Sequence, residues 1–196
     1  MRICYLVNSC HEHAVRWVCH FRDAGHEIHV ITAEPVSLPG VHVHIIRTGV
    51  SPDKHSSGNY PRSWLLATAL PQVLYLVRKK IKPHILHSQL ATSFGFIGSL
   101  TGWHPHILSV LGSDVLLLHK RSPVFTWIAR YALRRADLVL ATGRFLADET
   151  KKVIPGLNVT VTPFGIDLTK FSPAACPDKT GETAPLVGCV KNLRRL

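Results

Sequence analysis

The sequence predicts an α/β fold built on a doubly wound, mostly parallel sheet. Three observations carry this expectation. Short β-branched and apolar runs, such as Arg2–Val7 and residues 107–110, suit strands buried on both faces. Stretches with apolar residues at helical spacing lie between them, and strands alternating with helices imply parallel pairing through right-handed crossovers. With 196 residues, 46% of them hydrophobic, the chain is long enough for one large domain with a proper core.

The elements follow in order. Arg2–Val7 is the first strand, and Ser9-Cys10-His11-Glu12 then fits a capping box. Ala14, Trp17, Val18 and Phe21 form one apolar helical stripe, and Gly25 ends that helix. Glu27–Thr32 and residues 41–47 are the next strands, followed by a loop rich in Ser, Pro, Gly and Asn over 49–62. Residues 64–81 read as a helix apolar nearly all round, which Pro71 should bend or end half-way. A very short strand is expected at 84–87, a helix of small residues at 91–100, and a central strand from Ile107. Ser122-Pro123 supplies an N-cap and first-turn pair for a helix ending near Arg135. A buried strand at 137–141, a helix at Arg144–Val153 and a short strand at Val159–Val161 complete the alternation. Residues 1–161 therefore read as one domain and 162–185, rich in Pro, Gly, Asp, Lys and Thr, as a linker. Residues 186–196 read as the truncated start of a second domain.

A formal net charge of +11 favours anionic partners: nucleotides, phosphorylated substrates or an acidic lipid surface. There is no long like-charge run and no interleaving of basic and aromatic residues, so specific nucleic-acid recognition is not expected. The five cysteines have no C-x-x-C spacing and read as reduced thiols of a cytoplasmic protein. The chain opens directly on a strand without a signal-peptide layout, and its longest uncharged run, 63–77, is short for a membrane span. Trp64, Leu65 and Leu66, together with the Arg78, Lys79, Lys80 and Lys82 cluster, suggest peripheral docking on an anionic inner membrane face.

The stretch ILSVLGSDVL, residues 107–116, draws the functional reading. In an open parallel sheet, ligands bind outside the carboxyl ends of the strands. Gly112 lets the backbone approach a ligand, and Ser113 and Asp114 offer polar atoms just past the strand. Asp114 can orient an acceptor hydroxyl or accept its proton, although a carboxylate there also caps turns. His13 lies one turn into the first helix, whose amino end favours anions. His87, at the carboxyl end of its strand, is expected to line the cleft. The pairs His42/His44 and His104/His106 have no third ligand nearby in sequence, so they read as polar strand faces and no metal site is expected. No G-x-G-x-x-G, G-K-[ST] or G-x-S-x-G is present where a dehydrogenase, P-loop NTPase or α/β-hydrolase needs one.

The order of motifs resembles the N-terminal, Rossmann-like half of GT-B glycosyltransferases, specifically the large retaining family four. The matching pieces are RWVCHFRDAGHEIHVIT, KPHILHSQ, ILSVLGSDVL, RRADLVLATGRFLADE and TPFGIDLTKFSP, and LVGCVKNL is similar to the opening strand of the second domain. The resemblance implies a hexosyltransferase-type enzyme that moves a sugar from a nucleotide-sugar co-substrate to a sugar or lipid-linked acceptor with retention. It implies no bound cofactor or metal. Acceptor contacts are implied for this half, and the donor for a C-terminal domain carrying E-x7-E, so the chain by itself is expected to be inactive. The loop Asn8-Ser9-Cys10-His11 stands where many members have a Gly-Gly loop, and Leu111 where many have a histidine. A G-S-D subgroup places the aspartate near the transfer centre, as Asp114 would be, and an H-x-x-R-W subgroup matches His13, Arg16 and Trp17. The expected substrate-binding set is thus Ser9, His13, Arg16, His87, Gly112 and Ser113 around Asp114. The alternative reading is a stand-alone α/β module that binds an anionic sugar or lipid.

Overall fold

A computed structural model describes residues 1–7, 12–48, 68–118, 122–166 and 168. Seven strands form one sheet: β1 (Arg2–Val7), β2 (Glu27–Thr32), β3 (His42–Ile45), β4 (Ile85–Gln89), β5 (His106–Val110), β6 (Leu138–Ala141) and β7 (Val159–Val161). Their order is β3-β2-β1-β4-β5-β6-β7 and every pairing is parallel. The helices are α1 (Glu12–Asp23), α2 (Leu70–Tyr75), α3 (Phe94–Leu100), α4 (Pro123–Arg135) and α5 (Arg144–Val153). The order of strands reverses direction between β1 and β4, which is where a doubly wound sheet opens a crevice at its carboxyl edge.

The strands are buried on both faces because alternate side chains enter different cores. On β1, Ile3, Tyr5 and Val7 pack with Ala14 and Val18 of α1. Cys4 and Leu6 point the other way, onto Val73, Phe94 and Ile97. A third cluster gathers Leu108, Val110, Val139 and Ala141 beneath Ala129, Leu133 and Leu146. Cys4 and Cys19 are free thiols, and Cys10, Cys176 and Cys189 lie outside the described residues.

Several element boundaries differ from the sequence expectation. Pro71 does not bend a long helix: it sits in the first turn of α2, where its missing N–H has no partner to lose. Residues 64–67 lie outside the described residues, and after Tyr75 the helix widens into a π-helical run, Leu76–Ile81. The fourth strand begins one residue later than expected, because the His84 ring accepts the Arg2 N–H at 2.8 Å, and it runs on to Gln89. The helix expected from residue 91 begins at Phe94, after a turn in which Leu90 adopts φ 65°. The capping box at Ser9 and the loop over 49–62 lie outside the described residues.

Residues 1–164 form one compact unit and 165–196 a second, of which Gly165, Ile166 and Leu168 are described. Among the described residues no helix is long and apolar enough to cross a membrane.

Candidate functional site

At the carboxyl edge of the sheet, a crevice is lined by Trp17 of α1 and by residues at the ends of four strands. Its polar and aromatic walls are Trp17, Gln89, Ser109, Thr142, Thr162 and Phe164. Val110, Leu111, Leu140 and Ala141 complete it, and none of these residues is a carboxylate. Above one end, the exposed His13 ring lies flat on Phe164, with centroids 4.0 Å apart and planes 6° from parallel. The first turn of α1 and the chain leaving β7 are therefore in contact. Arg16, one residue before Trp17, pairs with Glu12 at 2.9 Å along the exposed side of α1.

Asp114, expected to face the reacting groups, is fully buried instead. Its Oδ2 accepts the Ala91 N–H at 2.8 Å, and its Oδ1 accepts from Gly112 at 3.0 Å and Leu111 at 3.3 Å. Burial pushes its carboxyl above the ordinary value, while the bonds from Ala91, Gly112 and Leu111 pull it back. One carboxylate thus joins the turn after β4 to the turn after β5. Gly112 serves that arrangement: at φ 124°, a conformation that favours glycine, it presents its N–H to Asp114. Ser113 is half-buried beside it, and Ser9 lies outside the described residues.

Residues 2–143 match the family described as Glycosyl transferase 4-like. The chain belongs to this family. No curated protein matches it. Among solved structures, HepE of Anabaena in complex with UDP shares 15% identity at TM-score 0.59, over 89% of this chain and 47% of HepE. The UDP-GlcNAc 2-epimerase of Neisseria meningitidis, bound to UDP-GlcNAc, shares 11% at 0.56 over 83% of this chain and 46% of its own. Phytolacca americana UGT2, complexed with UDP-2fluoro-glucose and pterostilbene, shares 12% at 0.52 over 85% and 54%. At such identities these structures share the fold, and the chain spans about half the length of each.

In this glycosyl transferase 4-like chain, His87 does not line the crevice but lies under it, 2% exposed. Its Nε2 meets the Ser109 hydroxyl at 2.8 Å, and its ring packs against Tyr5 and the edge of Trp17. Two of the crevice walls, Ser109 and Trp17, thus rest on one buried imidazole. On the opposite face of the sheet, Ser88 and the His106 Nε2 pair at 2.6 Å. Burial pushes His87 down to about 3, helped by the charge of His106. Burial also pushes His106 down to about 4, against the pull of Asp137.

These shifts set a pH dependence. Above the ordinary histidine value both rings are neutral, folded or unfolded, and contribute nothing. As pH falls below about 6.5 the unfolded chain takes up protons that the folded chain refuses, so stability falls, by up to about 1.4 kcal/mol per pH unit for each ring. A melting series from pH 7.5 to pH 5 is expected to show a midpoint that declines below about pH 6.5. A flat profile would show that the two rings are not held neutral.

Gln89, Thr142, Thr162 and Phe164 were not among the expected site residues. Each lies at or just past the carboxyl end of β4, β6 or β7. The rule that drew attention to the end of β5 would have found them if applied to every strand.

Proposed function

We propose that the chain is the acceptor-side half of a retaining glycosyltransferase, moving a hexose from a nucleotide-sugar to a sugar or lipid-linked acceptor. The observation that carries this is the lining at the carboxyl ends of β4 to β7, where Gln89, Ser109, Thr142 and Thr162 share one small pocket with Trp17 and Phe164. Polar side chains flanked by aromatic ones are a lining that suits an uncharged polyhydroxylated ring, and the walls, nearly closed on one another in this structure, must part to admit it. Support for a nucleotide-sugar donor comes from the ligands of fold relatives: UDP, UDP-GlcNAc and UDP-2fluoro-glucose. The net charge of +11 favours such donors and anionic lipid surfaces alike.

In this reading Asp114 is a positioning residue. It holds the turns that present Gln89, Ser109 and Leu111, and the crevice walls orient the acceptor rather than deprotonate it. His13 and the amino end of α1 lie on the side where a phosphate would be favoured.

The test is transfer of labelled hexose from UDP-sugars to sugar and lipid-linked acceptors. Residues 1–196 alone are expected to give negligible turnover, because the chain spans about half of the relatives that hold UDP ligands. Supplying a donor-binding half in cis or in trans should be required, with the product anomer retaining the donor's configuration by NMR. Robust turnover by the 196-residue chain alone would overturn the assignment of this half to the acceptor side.

A further inference from the structure

Far from the crevice, in the amino half of β2, four side chains with metal-ligand chemistry meet on one face of the sheet. The sequence places Glu27 and His29 two apart on β2, and His42 and His44 two apart on β3, so each pair shares a face. The parallel register sets His29 beside His42 and Ile31 beside His44, which brings both pairs to the same face. The His29 ring stacks on His42 with centroids 4.8 Å apart and on His44 at 5.4 Å. Its Nε2 lies 3.0 Å from the Glu27 carboxylate, and its Nδ1 lies 3.1 Å from the His44 Nε2. One ligand atom from each of Glu27, His29 and His42 falls within 4.8 Å of the others.

We propose that Glu27, His29 and His42 form a binding site for a divalent transition-metal ion of the zinc class, with His44 as the residue that orients His29. The donor set is two imidazoles and one carboxylate, which suits zinc, copper or nickel better than calcium or magnesium. Bonds of about 2.0–2.2 Å in a tetrahedron put donor atoms about 3.4 Å apart. The Glu27–His29 pair is already close to that spacing. His29 is buried and fixed, whereas Glu27 and His42 are exposed, so the His42 ring is free to close the remaining gap.

The partner of the other ring nitrogen completes the arrangement. A ligating histidine generally donates its second N–H to a neighbouring acceptor, which fixes the tautomer. With Nδ1–H of His29 donating to the His44 Nε2, the His29 Nε2 lone pair is left for the metal. In the metal-free chain the His29 Nε2 is held by Glu27, and the ion would replace that hydrogen bond, with His29 neutral and its one ring proton on Nδ1. Three protein ligands leave a fourth position for water. The consequence of occupancy is a cross-link between β2 and the end strand β3 of the sheet.

The experiment is zinc titration of the 196-residue chain, stripped by chelator and with cysteines kept reduced, followed by calorimetry and thermal melting. Saturable binding of one zinc ion is expected, and at a hundredfold excess over Kd it should raise the melting midpoint by about 5–10 °C. His42→Ala should weaken binding by more than about 100-fold and Glu27→Gln by at least about 10-fold, both with unchanged melting in chelator because these side chains are exposed. Cobalt should give the visible absorption of a tetrahedral ion, absent in His42→Ala. His44→Ala should weaken binding by about 10–100-fold and keep that absorption, and His44→Gln, whose amide oxygen can accept from His29, should recover part of the affinity. Absence of saturable zinc binding would overturn the proposal. So would equal affinities for the wild-type chain, His42→Ala and Glu27→Gln, which would place the metal on other histidines or thiols.

Discussion

Asp114→Asn is expected to destabilise the chain by about 2–4 kcal/mol, although aspartate and asparagine have nearly the same shape. The carboxylate has only acceptor atoms, and Ala91, Leu111 and Gly112 all meet it with backbone donors. An asparagine must turn its amide nitrogen toward one side. Turned toward Ala91, it sets donor against donor and orphans that N–H; turned the other way, it orphans both Leu111 and Gly112. In either orientation buried donors lose a charged partner. The melting midpoint should fall by about 5–15 °C, and Asp114→Ala, which orphans all three donors, should fall further. A midpoint unchanged in Asp114→Asn would mean that the two turns hold their shape without the charge.

The second large effect is expected at Gly95, early in α3. A methyl group there would lie 2.5 Å from the Leu108 Cδ1 and 2.7 Å from the Leu90 carbonyl oxygen. The leucine tip can turn aside. The carbonyl cannot, because it accepts the N–H groups of both Ser93 and Gly95, from a residue whose own φ is positive. Gly95→Ala must therefore lift α3 from the sheet, at a cost of about 3 kcal/mol and about 6–12 °C in the melting midpoint. Chemical denaturation with an unchanged slope would confirm that the loss lies in the folded state. A variant as stable as the parent would show that α3 slides without resistance.

The sheet was legible in the sequence because parallel strands covered on both faces need continuous apolar runs, and RICYLV supplies one from Ile3 to Val7. The end of β4 was harder. Ser88 and Gln89 look like the start of a turn, and nothing local shows that Ser88 has a partner in His106, eighteen residues on. The candidate site divides the same way. Gly112 and Asp114 announced a turn past a strand, but the burial of Asp114 depends on Ala91, which is 23 residues earlier. His13 stood out as a histidine near a helix start. Its partner Phe164 comes from the far end of the domain, and only the folded sheet brings the two rings together. Spacing shows which residues share a face. Which polar groups consume one another is settled by contacts distant in sequence.

The two banks of the crevice differ in how they can yield. On one bank, the wall residue Leu111 is fastened, with Gly112 and Ala91 behind it, to a single buried carboxylate that ties the turns after β4 and β5 together. On the other, His13 and Phe164 meet through a ring stack, a contact of about 0.5–1.5 kcal/mol that thermal motion breaks readily. Any widening of the crevice therefore falls to the aromatic bank.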